Sequence, residues 1–237
     1  MTSFSHPEIK ILSEQSVLLD WGPVIDRDLN RRIHQLARWI QKEPFEGFRE
    51  VLPAYASLAV FFDPGHRIFS NENQNPFEVA KDFILDKLHN LPDKPQNGQT
   101  NKIEIPVLYN GPDLKQLAGS KNLSVSEIIL IHTARVYDVF MLGFLPGFAY
   151  LGLVDEKIAA PRLPTPRTRV PAGSVGITGN QTGVYPVESP GGWQLIGTTP
   201  LKMFDPIRSK PMLLKPGDEV VFYSITESEF IHLKENA

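Results

Sequence analysis

The sequence predicts an α+β N-terminal domain followed by a mainly β domain, and three observations predict it. Two stretches near the N-terminus carry apolar residues at helical spacing between short strand-like runs. A polar segment, NLPDKPQNGQTN, then interrupts all periodicity from Asn90 to Asn101. Beyond it, Gly143 to Pro200 holds ten of the chain's 17 glycines and eight of its 21 prolines, interleaved with Phe148, Val175, Trp193, Ile196 and similar residues. That is too much punctuation for helix and too many aromatic and β-branched residues for disorder. Short apolar runs bounded by Gly and Pro read as strands joined by tight turns.

In chain order, Glu8 to Leu12 and Val17 to Trp21 predict two strands around a polar turn. Asp26 or Asp28 then caps a helix whose apolar positions are Ile25, Leu29, Ile33, Leu36 and Ile40, with Pro44 as its stop. Val51 to Phe62 is one apolar, β-favouring run ending at the turn Asp63-Pro64-Gly65. A second helix starts at Pro76, where the missing N–H costs nothing, and buries Phe77, Ala80, Ile84 and Leu88. Two amphipathic helices against strands predict a two-layer domain over residues 1–92. Residues 93–102 form the linker and residues 103–237 the second domain. There, Ile103 to Tyr109 is a strand that contains a Pro, which belongs at a sheet edge or a strand start. A short helix follows over Pro112 to Ala118, and Ser124 with Glu127 forms a capping box for the next helix. Strands are expected at Tyr137 to Phe144 and Glu219 to Ile225. The second domain therefore has two small helices and is otherwise β.

Composition excludes several function classes. The net charge is −3, against a nucleic-acid or anionic-membrane surface, which needs a basic excess. There are 0 cysteines, so disulfides, thiolate catalysis and Cys-ligated zinc are ruled out. The six histidines are scattered without metal-binding spacing, so no protein-built metal site is expected. No apolar run approaches a membrane span and no secretory signal opens the chain, so the expected location is cytoplasmic. P-loop and dinucleotide-binding glycine patterns are absent as well.

The candidate functional residues lie mostly in the Gly/Pro-rich stretch. Arg162, Arg167 and Arg169 offer planar donor forks suited to carboxylate or phosphate; the plainer reading is a solvated loop. An extended TPRTRV would put Arg167 and Arg169 on one face, with Thr168 pointing away. Ser174 in AGSVG superficially resembles a nucleophile elbow, but strand-like sequence follows it and the one later histidine, His232, is in the tail. The serine-hydrolase reading is rejected, leaving backbone N–H groups around Ser174 as an anion cradle. If Gln181 to Ser189 is one extended strand, Gln181, Tyr185 and Ser189 share a face. Phe144, Pro146, Phe148, Tyr150 and Trp193 could form an aromatic groove or simply plug a barrel mouth. His132, after the apolar run IILI, is a candidate base or an ordinary core histidine.

The segments GFLPGFAYLG, TPRTRVPAGSVGI, QTGVYPVESPGGWQLIG and LLKPGDEV resemble the family of the 5-oxoprolinase B subunits. That family includes the sporulation-kinase inhibitor KipI and the allophanate hydrolase subunit 1 domain of urea carboxylases. The resemblance is dense from about Ile105 to Val221, departing at Asn110 and Ala149, where the family usually has Gly and Pro. It implies that the second domain is a cyclophilin-like β-barrel. It also implies a cytosolic subunit of an ATP-dependent enzyme that opens 5-oxoproline to glutamate. ATP, with Mg, would act at the level of the complex. The partners would be the A and C subunits of 5-oxoprolinase, with the latter the most direct. The resemblance makes His132 a recurrent feature and raises the arginines as anion holders. Two other functions stay open: a KipI-like inhibitor of a histidine kinase, and the carboxyltransferase half of a urea-carboxylase-type enzyme. No biotin-carrier segment like A-M-K-M occurs in the chain.

Overall fold

A computed structural model of the chain describes residues 6–69, 75–92 and 101–236. The chain divides into two compact units, residues 1–99 and 100–237. Most of the segment read as linker lies outside the described residues.

Among the described residues, the first unit is a four-stranded sheet with two α-helices. Its strands are β1 (Glu8–Ser13), β2 (Ser16–Asp20), β3 (Phe48–Pro53) and β4 (Ser57–Phe62), in the antiparallel order β1-β2-β4-β3. Register pairs Val17 with Val60 and Leu19 with Leu58, so the alternate residues of both strands fall on one face. That face meets α1 (Arg27–Lys42) and α2 (Pro76–His89) through Ile33, Leu36, Ile40, Ile84 and Leu88. Asp26 caps α1 by accepting the Leu29 N–H at 2.7 Å, and Pro76 opens α2. Two expectations need correction. Ile25 precedes the cap and is 37% exposed, so it is not on the buried stripe. The run Val51 to Phe62 is the end of one strand and the whole of the next, folded at Ala54-Tyr55-Ala56 where neither Gly nor Asn marks the turn.

The second unit is a mainly β, barrel-like domain. Seven strands form one sheet: β5 (Lys102–Val107), β6 (Val136–Leu142), β7 (Ala149–Gly152), β9 (Ser174–Thr178), β10 (Gln181–Val184), β12 (Gln194–Thr198) and β13 (Glu219–Ser224). Their order is β12-β9-β10-β7-β6-β13-β5, with β13 and β5 paired in parallel. The two ends of the sheet meet where Leu108 and Thr198 exchange both N–H···O bonds at 2.9 Å. This seam needs glycine. A Cβ on Gly197 would lie 2.7 Å from the Leu108 carbonyl oxygen, and one on Gly111 would lie 2.2 Å from that of Leu195. Pro106 sits in β5, the last strand of the sheet order, where a missing donor is tolerated.

Two helices plug the barrel: α3 (Leu114–Ser120) and α4 (Val125–Thr133), the latter opened by the Ser124–Glu127 capping box. Leu114, Leu117 and Ile128 pack with Val107, Val139, Ile177, Ile196 and Phe222 in one core. A separate ribbon of β8 (Arg167–Val170) and β11 (Ser189–Gly191) covers a second cluster of Phe148, Val170, Tyr185, Trp193 and Leu195. The expected single strand from Gln181 to Ser189 is therefore broken: β10 ends at Val184, the chain bends at Pro186-Val187, and Ser189 belongs to another sheet. A third helix, α5 (Glu227–Glu235), has no counterpart among the sequence expectations. It buries none of its residues, so it leaves no apolar stripe in the sequence, although Thr226 and Glu229 form a complete capping box.

Candidate functional site

The site is built where the β8 ribbon meets the barrel seam. Pro166 and Pro171 bracket β8, and between them the chain is extended, so Arg167 and Arg169 both reach the same cleft. Its other walls are the turn Asn110-Gly111-Pro112, then Ser174, and Leu195, Gly197 and Thr198 of β12. The cleft volume is about 320 Å³, at the small end of the range for small-molecule sites. Its side-chain charge comes from the two arginines.

The two arginines are held differently. Arg167 donates from Nη2 to Oδ1 of Asp113 at 2.5 Å, and from Nη1 to the Trp193 carbonyl at 3.4 Å. Asp113 is 5% exposed, and its other oxygen accepts the Leu195 N–H at 2.6 Å. This carboxylate, itself outside the cleft lining, thus ties β8 to β12. Arg169 is open: its side chain is 76% exposed and meets Glu188 at 2.6 Å. An exposed pair of this kind contributes about 0–1 kcal/mol and exchanges readily with an incoming anion.

Ser174 lies on the cleft wall, but the surrounding backbone donors are engaged. Its own N–H reaches the Pro171 carbonyl at 3.3 Å, and the Gly173 N–H donates to the Tyr185 carbonyl at 2.7 Å. Thr198 Oγ1 and Asn110 Oδ1, 3.3 Å apart, form the polar rim opposite.

The remaining candidates lie elsewhere. Gln181 is half-buried in β10, outside the cleft lining. Tyr185 is 1% exposed; burial raises its phenol above the usual range, offset by a hydrogen bond from the Trp193 backbone and by the charge of Arg162. A Cβ on Gly191 would lie 2.3 Å from that hydroxyl, so Gly191 is where the ring seats. Phe148 and Trp193 are core residues of the same cluster, in edge contact at 5.3 Å between centroids. Tyr150 is half-buried, while Phe144, Pro146 and Arg162 are exposed. Of the expected aromatic groove, only the outer members face solvent.

His132 is in the barrel interior at 0% exposure. Its Nδ1 is 2.7 Å from the Tyr109 hydroxyl and its Nε2 is 3.0 Å from Thr182 Oγ1. Thr182 gives its own proton to the Gly176 carbonyl, so it accepts from His132 Nε2–H, and Tyr109 donates to Nδ1. The ring also stacks on Phe222 at 4.6 Å. Burial pulls its pKa down to about 3. A neutral imidazole with both nitrogens bonded inside a core is a structural group, in contrast to the catalytic role that the sequence left open.

Asp113 is the site residue that sequence reasoning missed. Its signal is faint: an acid at a helix start, ordinarily read as a cap, although here it makes no side-chain cap bond. Among the described residues, no group of three or more His, Cys, Asp or Glu gathers as a metal site, and no helix is long and apolar enough to cross a membrane.

Comparison with known proteins gives consistent matches. The family model for the carboxyltransferase domain, subdomains C and D, matches residues 7–214. A Bacillus subtilis protein named as the B subunit of 5-oxoprolinase is 42% identical over 97% of this chain and 98% of its own length. The Escherichia coli O157:H7 protein of the same name is 39% identical over 90% of this chain and 93% of its own. Among solved structures, the protein TTHA0988 superposes with a TM-score of 0.76 at 36% identity; the match covers 90% of this chain and 40% of that longer chain.

Proposed function

The chain belongs to the family of 5-oxoprolinase B subunits, and on that premise we propose that it is the B subunit of an ATP-dependent 5-oxoprolinase, converting 5-oxo-L-proline to L-glutamate together with the A and C subunits. The observation that carries this reading is the match to the Bacillus relative over nearly the whole of both chains. Named as a subunit, that relative points to a heteromeric assembly, and the C subunit is the most direct partner.

ATP supplies the phosphoryl group that makes the lactam carbon electrophilic when it is bound in the complex. This chain's own residues fit anions better than a metal. The cleft offers two guanidinium groups, and the buried carboxylate beneath it has both oxygens committed to Arg167 and Leu195. We assign Arg169 to the incoming carboxylate or phosphate, with Arg167 as the fixed charge behind it. Ser174 and Thr198 complete the wall.

Two measurements test this. The purified chain alone is expected to be inactive, and mixing it with the A and C subunits, ATP and 5-oxoproline is expected to release glutamate. Full activity of the lone chain would overturn the subunit reading, as would an inactive mixture accompanied by tight inhibition of a histidine kinase. Second, Arg169→Lys keeps the charge but loses the planar fork. A charge-assisted bond contributes about 1.5–3 kcal/mol. Because Arg169 is so exposed, the lower end applies, about a tenfold rise in KM with assembly intact. Thr168→Val, pointing out of the cleft, is expected to leave KM unchanged. Unchanged kinetics in Arg169→Lys would remove Arg169 from the site.

A further inference from the structure

Two loops of the barrel unit hold apolar side chains out into solvent on ordered turns. The first is Gly143 to Phe148. Phe144 has φ +70°, rare for a residue with a side chain, and the Leu145 N–H donates to the Gly143 carbonyl across it at 2.9 Å. This i to i+2 bond around a positive φ is a strained γ-turn, and strain of this kind persists where the surroundings enforce it, often at sites that grip something. Enforcement is visible: the Gly143 N–H reaches the Phe148 carbonyl at 3.1 Å, and the Phe148 N–H reaches the Leu145 carbonyl at 3.0 Å. The Phe144 ring is nevertheless 62% exposed.

The second loop is a hairpin. Phe204 bridges Met212, and the Asp205 N–H reaches the Pro211 carbonyl at 2.8 Å, so residues 205–211 form its tip. Asp205 Oδ1 accepts the Ile207 N–H at 3.1 Å, and Arg208 Nη1 donates to the Lys202 carbonyl at 3.1 Å. Ile207, held on this frame, is 92% exposed, and Met212 is 43% exposed. The two loops touch: Gly147, at φ +81°, lies so close that a Cβ there would be 2.7 Å from Cβ of Phe204.

A single exposed apolar residue means little. Here Phe144, Pro146, Ile207 and Met212 project from adjoining loops whose backbones are already ordered, so covering them costs little further ordering entropy. Charge indicates what covers them. The chain is net −3, yet residues 202–215 carry Lys202, Arg208, Lys210 and Lys215 against the single anion Asp205. A local basic excess on an acidic protein selects an acidic partner and steers its approach.

We propose that this double loop is the docking face for the C subunit of the complex, and that it receives an apolar surface flanked by Asp and Glu. The proposal rests on the subunit reading above for the identity of its occupant. Ile207 and Phe144 are its anchors; Arg208 is paired with Asp205 at 3.7 Å, so Lys210 and the neighbouring lysines set its charge preference.

The test uses the full chain and the purified C subunit from the same genome, with affinity measured by calorimetry and glutamate release measured separately. Ile207→Asp is expected to weaken binding about thirtyfold or more, the level of an interface hot spot. Phe144→Ser is expected to weaken it less. Lys210→Glu is expected to slow association and flatten its salt dependence. Leu130→Asp, at a residue of α4 that is 66% exposed, serves as a control and keeps wild-type affinity. Circular dichroism and gel filtration establish that each variant is folded. If the wild-type chain binds the C subunit and the mixture is active, but Ile207→Asp and Phe144→Ser bind equally well, the docking face is overturned and the subunit reading stands. If the wild-type chain does not bind the C subunit, both fall. Binding of the wild type to phosphatidylserine vesicles that is lost in Ile207→Asp, with affinity for the C subunit intact, would assign the hairpin to a lipid surface and also overturn the proposal.

Discussion

Acidification from pH 6.5 to 5 is expected to lower the unfolding free energy by about 2 kcal/mol through His132 alone, at about 1.36 kcal/mol per pH unit. In the folded barrel His132 is fully buried and its pKa is pulled down to about 3, while the unfolded chain holds it near the ordinary 6.5. Below 6.5 the unfolded state takes up a proton that the folded state refuses. The stabilising contribution is therefore complete above pH 6.5 and is lost progressively as the pH falls toward 3. The depressed carboxylates, among them Asp20, Asp63, Glu127 and Asp155, act in a lower window, beneath the ordinary carboxylate range. The window from 6.5 to 5 thus reports histidine. Urea unfolding at pH 7.5, 6.5, 5.5 and 5.0 should show a shallower slope in His132→Gln than in the wild type, by close to one proton. The variant should also be less stable at pH 7.5, since Tyr109 and Thr182 lose their shared partner. Identical slopes would mean that His132 titrates normally. That result would return it to the list of candidate bases, because a base must be reachable and poised near the working pH.

His132 also shows which features could be read in the sequence and which could not. Local signals were legible. Asp26, Pro76 and the Ser124–Glu127 box mark helix starts within a few residues of the groups they satisfy, and α1, α2 and α4 begin there. Gly and Pro density announced the β-rich unit correctly. What failed was either too exposed or too long-range. The helix α5 has a capping box but buries nothing, so periodicity could not find it. Strand alternation alone puts Tyr185 on one face with Gln181 and Ser189, because nothing local shows the chain bending at Pro186-Val187 and seating the Tyr185 ring against Gly191. The bonds of His132 run to Thr182, 50 residues away, and those of Asp113 run to Arg167, 54 residues away. Pairings at that distance are set by the β12-β9-β10-β7-β6-β13-β5 order, including its parallel step. The arginines stand out by residue type as candidates for holding an anion. That Arg167 is tied down, while Arg169 is held only by an exposed pair with Glu188, is decided by a carboxylate which the linear pattern presents as an ordinary helix start.

Removing that carboxylate is the second large perturbation. Asp113→Ala is expected to destabilise the protein by about 3 kcal/mol, the lower end for breaking a buried ion pair. The lower end applies because the Arg167 side chain is 26% exposed against 6% for Asp113, so the freed guanidinium can partly rehydrate in the cleft. The Leu195 N–H has no such escape. It donates to Asp113 from inside β12, and an orphaned buried donor costs about 1–3 kcal/mol. Asp113→Asn keeps an acceptor for Leu195 but loses the charge facing Arg167, and should cost about half as much. Arg167→Met removes the cation and leaves the Leu195 bond in place. If the pair acts as a unit, the double variant Asp113→Ala/Arg167→Met will be less destabilised than the sum of its parts, by about 0.5–3 kcal/mol. Urea unfolding of the four proteins at pH 7.5 closes this cycle. Additive losses, or a cost below about 1 kcal/mol for Asp113→Ala, would show that the carboxylate does not hold the ribbon to the barrel. Arg167 would then be held as loosely as the exposed Arg169, whose pair is with Glu188.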